Sequence, residues 1–496
     1  MGRGRVARRQ WVTVVACAAA AAGDSTMRDF VKSLTDNTLS LLGTTLATAS
    51  GVLIVLVLAV FSLGYHANAY VGIVAFLVLP GAFVLGLLLV PAGHWRVRRR
   101  AARAAAAGRP VPALPVLDLN QPATRNRLVF FGALTAVNVV ILSAAGYAGI
   151  SLMDRPVFCG SCHSVMDPEV TAYARSPHAR VACVECHIGS GASWFVKSKL
   201  SGSWQLVSVT LNLYPRPIPT PVKALRPARD TCEECHWPAK FVGQRLKVLR
   251  TYAEDAAGTE KDTVLLMRVG GQLGPRASGI HWHVAPGVEV RYLGDASRQK
   301  IGAVELKLPD GTRRTYASKD GPAAPGPDAA WRTMDCVDCH NRPTHQYRLP
   351  EQEVDGAIEA GRLDRASLPF LRREALAALK GATGSHAEAK EGIRVAMLAS
   401  YEKLDPAAFP ARRAAVEAAA DVVAGLYAVN VWPQMKITWG TYPSFLGHDA
   451  SPGCWRCHDD AHVAEGGKAI PQDCDLCHSI LAQDEHDPKV LKELQH

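Results

Sequence analysis

Three stretches run for at least 21 residues without a charged side chain: Leu41 to Leu63, Tyr70 to Val90 and Leu128 to Ile150. Crossing a bilayer takes about 20 apolar residues, so each stretch is expected to be a transmembrane helix. The link Gly64–Ala69 carries no Lys or Arg. The segment 91–127 carries eight Arg, among them Arg96, Arg98, Arg99, Arg100 and Arg103. Basic loops stay on the cytoplasmic side. Residues 1–40 and the basic loop 91–127 are therefore expected inside, and an odd number of spans puts everything after Ile150 outside.

Residues 1–40 hold competing signals. Arg8-Arg9 before "QWVTVVAC" hints at export, and Val14 to Cys17 resembles a lipoprotein cleavage box. The apolar run Trp11–Ala16 is shorter than the ~7–15 residues of a signal core, and lipidation at Cys17 would reverse every later span. An uncleaved cytoplasmic N-terminus is expected, with translation starting at Met1 or Met27.

Beyond Ile150 the pattern changes several times. Residues 151–245 combine three cysteine motifs with Pro-rich connections such as "YPRPIPTPVKALRP". Residues 246–335 are expected to be a β-containing insertion: from about Val264 to Ser318 polar and apolar positions alternate, and Pro309-Asp310-Gly311 between "AVELKL" and "TRRTYAS" signals a hairpin. Gly321–Pro327 reads as a linker. A fourth motif occupies 336–350. From 351 to 440 the spacing is helical, as in "FLRREALAALKG" and "PARRAAVEAAADVVAGLYAVN". Residues 441–496 carry two further motifs. The expected fold class is a membrane protein: three transmembrane α-helices (41–90 and 128–150) plus an external domain, mostly α and irregular, with a small β-hairpin insertion.

Charge sharpens this picture. The net charge of the 496 residues is +10, and all of it lies before residue 128, where 14 Lys and Arg face 4 Asp and Glu. The remainder is balanced. A basic face for nucleic acid is not implied; the excess sits beside apolar segments, where it carries topology.

Twelve of the 13 cysteines fall into six C-x-x-C-H motifs: Cys159/Cys162/His163, Cys183/Cys186/His187, Cys232/Cys235/His236, Cys336/Cys339/His340, Cys454/Cys457/His458 and Cys474/Cys477/His478. This is the c-type haem attachment pattern. The two thiols add to the vinyl groups, and the adjacent His becomes the proximal iron ligand. Zinc would use the thiol pairs but has no need of a His after each. Six covalent haems are expected, outside the cytoplasmic membrane, where such attachment occurs.

Each iron has a sixth position, and its occupant sets the potential or opens the site to substrate. His66 and His94 flank spans on opposite sides of the bilayer and read as interfacial. Met166 and His178, His283, His345, His448 and His462 supply six distal ligands for six haems. His486 stands in reserve, and His386 and His496 read as surface residues. In His281-Trp282-His283 an expected strand points the two rings to opposite faces, and the choice between them stays open, as does which ligand serves which iron.

The stretch "FCGSCHSVMDPEVTAYARSPHARVACVECHIG", after a transmembrane helix, resembles the NapC/NirT family of membrane-anchored multihaem quinol dehydrogenases over about Leu128–His236. The resemblance implies oxidation of membrane quinol, menaquinol as its species, at the outer face of the inner membrane. Electrons would then pass to periplasmic cytochromes or reductases. Family members have one anchor and four haems, whereas this chain has three apolar stretches and six motifs. "GIHWHV", "NVWPQMKITWGTYPSFLGH" and "CWRCHDDAHVAEGGKAIPQDCDLCH" are similar to larger inner-membrane cytochromes of metal-respiring bacteria. The family's quinol site implies a basic residue after the second motif. Lys197 and Lys199 answer to it, although Trp194, Phe195 and these lysines also suit an interfacial belt with snorkelling cations. Asp167 and Glu169 are alternative proton acceptors; no carboxylate closely follows the lysines, and Gln205 is the nearest polar group of comparable size. Two rival functions remain. One is an electron-transfer wire inside a larger complex; the other is a terminal reductase, which would need an open iron.

Overall fold

A computed structural model describes residues 37–62, 78–107, 120–189, 192–222, 226–237, 241–270, 278–319 and 331–494. Cys17, His66, His496 and the start of the second apolar stretch lie outside the described residues. The chain divides into two compact units, Met1–Ser161 and Cys162–His496.

The first unit is helical. Helix α1 (Thr38–Ser62) opens on Asn37, whose Oδ1 accepts from the Ser40 amide at 2.8 Å. Several of its hydroxyls are satisfied within the helix: Thr44 donates to the Ser40 carbonyl and Thr48 to that of Thr44. Such back-bonding lets polar side chains sit on a helix whose surroundings offer no partner. Helix α2 (Leu79–Ala106) runs antiparallel to α1, and small residues let the backbones approach. A Cβ on Gly86 would stand 2.6 Å from the Ala47 nitrogen and 2.7 Å from the Gly43 carbonyl oxygen. Ser40 Oγ donates across to the Val90 carbonyl at 3.1 Å. Large apolar side chains such as Leu42, Leu56, Leu85 and Leu88 face outward. Helix α3 spans Pro122–Met153.

Among the described residues one helix, over Thr38–Val57, is long and apolar enough by itself to cross a membrane. The segment 91–127 is not a loop throughout. Helix α2 continues through Pro91 and the arginines to Ala106, with Arg99 stacked 3.8 Å above the Trp95 ring. Arg and Ala are strong helix formers, so charge changes where the segment lies without ending the helix.

In the second unit, α4 (His163–Ala174) and α5 (Ala192–Thr210) carry the first connections. Helices α6 (Pro350–Glu359), α7 (Leu371–Gly381), α8 (His386–Leu404) and α9 (Phe409–Ala428) form a bundle with a dense core. Val354, Ala375, Leu379, Ile393, Met397, Val416 and Val423 are essentially sealed from solvent. Each of the larger aliphatic side chains contributes about 1.5–3 kcal/mol. Ser385 and Glu388 cap α8 reciprocally, and Arg372 pairs with Asp355 at 2.6 Å.

The β region is larger than the small hairpin insertion expected. Strands β1 (Arg245–Tyr252) and β2 (Glu260–Met267) are joined in one antiparallel sheet by β8 (His478–Glu485). A five-stranded sheet has the order β6-β3-β4-β5-β7, with β3 Glu289–Gly294, β4 Ile301–Lys307, β5 Arg313–Ser318, β6 Arg332–Thr333 and β7 His462–Ala464. The hairpin at Pro309-Asp310-Gly311 connects β4 to β5, with Gly311 at φ 84° and the Thr312 amide bonded to Asp310. The additional strands come from the chain beside the last two motifs, and they pair with residues far away in sequence.

Candidate haem sites

Each C-x-x-C-H motif lies in or beside a short helical turn, such as Cys183–His187, Cys336–Cys339 and Gly453–Arg456. No two described cysteines form a disulfide. At the fourth motif Asp335 caps the turn, its carboxylate accepting from the Cys336 amide at 2.6 Å and from the Ala228 amide at 2.7 Å. That second bond ties the turn of the third motif to the fourth, and the Cys232 and Cys336 thiols are in hydrogen-bond contact.

The attachment cysteines are not equally covered. Cys457 packs against the core of the five-stranded sheet, whereas Cys186, Cys235 and Cys474 are exposed. The helical turn of the third motif, Ala228–Cys232, ends before Cys235, and the chain carries that residue onto the surface with its amide on the Cys232 carbonyl at 3.1 Å. Its thiol lies near that of Cys186, whose pKa is raised first by burial and then by neighbouring groups, Cys232 and Cys235 among them. The second and third motifs thus bring their thiols together at the surface.

The histidines come together in pairs. Ring centroids lie 6.2 Å apart for His187 and His345, 6.0 Å for His236 and His178, and 6.4 Å for His340 and His281. For His458 and His283 the distance is 5.9 Å, and for His478 and His448 it is 6.1 Å. With a metal–nitrogen bond of about 2 Å and about 1.1 Å from ring centre to nitrogen, two imidazoles trans on one iron sit about 6.3 Å apart. Five motif histidines thus each face one further histidine across a gap of iron dimensions.

The hydrogen bonds agree with that use. Nδ1 of His178 is bonded to the Pro343 carbonyl at 3.1 Å, that of His281 to Val269 at 3.0 Å and that of His283 to Ile280 at 2.7 Å. Nδ1 of His458 meets the Pro471 carbonyl at 3.0 Å. A proton fixed on Nδ1 leaves the Nε2 lone pair for a metal. Burial lowers the pKa of His187, His283, His340 and His478, favouring the neutral ring that ligates. Beside His283 lies an open cavity of about 360 Å³ whose lining is mixed, with Val288, Val290 and Met334 beside Arg229, Glu289 and Lys307. Paired imidazoles and thiols held on turns fit a covalently attached haem.

Two ligand expectations are corrected. His462 meets none of the described motif histidine rings. It is buried, with Nδ1 on the Asp459 carboxylate at 2.9 Å and Nε2 on the Ile301 carbonyl at 3.1 Å, so both ring nitrogens serve the five-stranded sheet. His281 and His283 are not alternatives. Ile280–Val284 is a tight 3-10 turn where a strand was expected, and each ring faces a different motif histidine. His386 binds the Val431 carbonyl through Nε2, and His486 meets the Glu260 carbonyl. The side chain of His163 lies outside the described residues. Met166, one turn further along α4, packs against the cluster of Val165, Tyr347, Trp432 and Met435.

The residues expected near quinol are spread out. Lys197 is exposed on α5, its ammonium 4.4 Å from the Trp194 ring, and Lys199 is half-buried on the same helix. Asp167 is exposed and accepts from Trp432 Nε1 at 3.1 Å. Glu169 is otherwise engaged: its Oε2 lies 2.9 Å from His345 Nδ1. Burial opposes its charge, but His345 and Arg342 outweigh that and hold the carboxyl below the usual range.

Comparison with known proteins now bears on these sites. The N-terminal region of the NapC/NirT cytochrome c family matches residues 121–215. Over 468 residues the chain is 41% identical to the cytochrome c-type protein ImcH of Geobacter sulfurreducens, covering 93% of this chain and 91% of that protein. The chain belongs to the ImcH family. It is a membrane-anchored multihaem c-type cytochrome of electron transport, carrying a NapC/NirT region where the sequence resembled one. The cytochrome c-type protein NrfH of Wolinella succinogenes is 29% identical over 112 residues, 22% of this chain and 62% of that protein. No solved structure matches the chain.

Proposed function

We propose that this cytochrome carries six haems and oxidises membrane quinol, menaquinol as its species, at the outer face of the inner membrane. Electrons then pass to periplasmic cytochromes or reductases. The observation that carries the reading is the set of five imidazole pairs, joined to a NapC/NirT region. Two histidines per iron leave no open position at those five, which argues against a terminal reductase. The ligand set proposed is His187 with His345, His236 with His178, His340 with His281, His458 with His283 and His478 with His448. Met166 is kept for the first motif.

Oxidation of one quinol releases two protons and two electrons, and haem iron, when bound, takes electrons singly. Lys197 and Lys199 would orient the quinol oxygen, and Asp167 would take a proton toward solvent. Glu169, committed to His345, is withdrawn from that role. Three spans, with the N-terminus and the arginine-rich end of α2 inside and the haem domain outside, follow from loop charge.

The test is anaerobic visible spectroscopy of the purified holoprotein in detergent with a menaquinol analogue. Reduction of several haems, abolished by Lys197→Ala or Lys199→Ala, is expected. Reduction by dithionite but not by quinol would overturn the reading in favour of a wire fed by another protein.

A further inference from the structure

Among the described paired histidines, the Nδ1 bonds differ in one respect. Those of His178, His281, His283 and His458 end on neutral backbone carbonyls. That of His345 ends on a carboxylate, with Glu169 Oε2 at 2.9 Å and the Glu169 carbonyl at 3.1 Å. The Glu169 side chain is only 17% exposed, so solvent does little to screen it. It leaves α4 one turn after Met166, and His345 arrives five residues beyond the fourth motif, so two distant segments are fastened here.

A carboxylate drawing on the Nδ1 proton pushes electron density toward Nε2 and makes the ring a stronger donor. A stronger axial donor stabilises ferric over ferrous iron and lowers the potential. We propose that Glu169 is a positioning residue that holds the haem between His187 and His345 at a lower potential than its carbonyl-bonded neighbours. This rests on the ligand set proposed above. Electron flow from the second motif to the third is then downhill, and return to the quinol end is opposed.

Glu169→Gln keeps the shape and an accepting oxygen while removing the charge. In the full-length holoprotein, spectroelectrochemical titration is expected to show one midpoint potential raised and the others unmoved, at unchanged haem content. The near-infrared charge-transfer band of one ferric haem should move with it, and Glu169→Asp should bring both back toward their original values. His345→Ala is expected to leave one haem high-spin. If it does, and Glu169→Gln moves no potential, the role of the carboxylate is overturned while the ligand set stands. If every haem stays low-spin in His345→Ala, the ligand set itself fails and takes this proposal with it.

Discussion

Arg456, inside the fifth C-x-x-C-H motif, donates to the backbone carbonyl of Asp338, inside the fourth, at 2.5 Å. Its other nitrogens reach the carbonyls of Arg298 and Gly453, and the guanidinium lies 3.9 Å over the Phe445 ring. The Asp338 carboxylate is buried and receives Tyr292 at 2.6 Å, Arg332 at 2.9 Å and Arg298 at 3.2 Å. The Arg456 side chain of the fifth motif therefore clasps the backbone of the fourth and fixes the spacing of the two turns.

Replacing Arg456 by Met should lower stability by about 1.5–3 kcal/mol, the worth of charged hydrogen bonds. Asp338→Ala should cost more, about 3–5 kcal/mol, because two arginines lose their buried counter-charge. Urea denaturation of the holoprotein followed by tryptophan fluorescence measures both. An Arg456→Met midpoint equal to that of the original protein would refute the clasp, and an unchanged Asp338→Ala midpoint would refute the worth of the buried carboxylate.

His281→Ala and His283→Ala should each convert a single haem, and a different one, to high spin. His462→Ala should leave every haem low-spin and instead lower stability by about 1–3 kcal/mol, since it strands the Asp459 and Ile301 acceptors. Electron paramagnetic resonance separates these outcomes.

Gly86→Leu should separate α1 from α2, because a Cβ there meets backbone atoms that cannot yield. Gly81→Leu on the same helix meets nothing within 4 Å and should be tolerated. Thermal denaturation in detergent, comparing the two variants, is the measurement.

Asp295 turns the chain between β3 and β4, accepting from the amides of Gln299 at 2.8 Å and Lys300 at 3.1 Å. Partial burial works against its charge, but Ser297 and these amides outweigh it, and its pKa is depressed. Its contribution is complete above the ordinary Asp value, about 3.9, and disappears as pH falls through the lower folded value. Asp295→Asn should remove that acid-dependent part of the stability curve; an unchanged slope would count against it.

Much of this was legible in the sequence. Local features are read well: the charge-free run of α1, the hairpin at Pro309-Asp310-Gly311 and the Ala-rich helices each follow from neighbouring residues. What was not legible depends on partners far away. Strands β7 and β8 acquire their identity from Tyr316 and Leu265, well over a hundred residues upstream. His462 has the spacing of a ligand, and only the fold reveals that Asp459 and Ile301 have claimed it. The tight turn at His281 and His283 defeats an alternation argument because consecutive side chains fan around a helix there. Glu169 looked like a proton acceptor because nothing nearby in sequence announces His345.

In the proposed ligand set, iron joins residues that the chain keeps far apart: His178 reaches past the second motif to the third, and His345 returns from beyond the fourth to the second. Each such bond closes a loop, and closing loops removes freedom from the unfolded chain much as a disulfide does. Among the described residues of 151–237, few side chains are sealed from solvent. Two interleaved closures, His178 with His236 and His187 with His345, would let that segment hold its shape as a cross-linked network, stapled by metal where other domains rely on packed hydrocarbon.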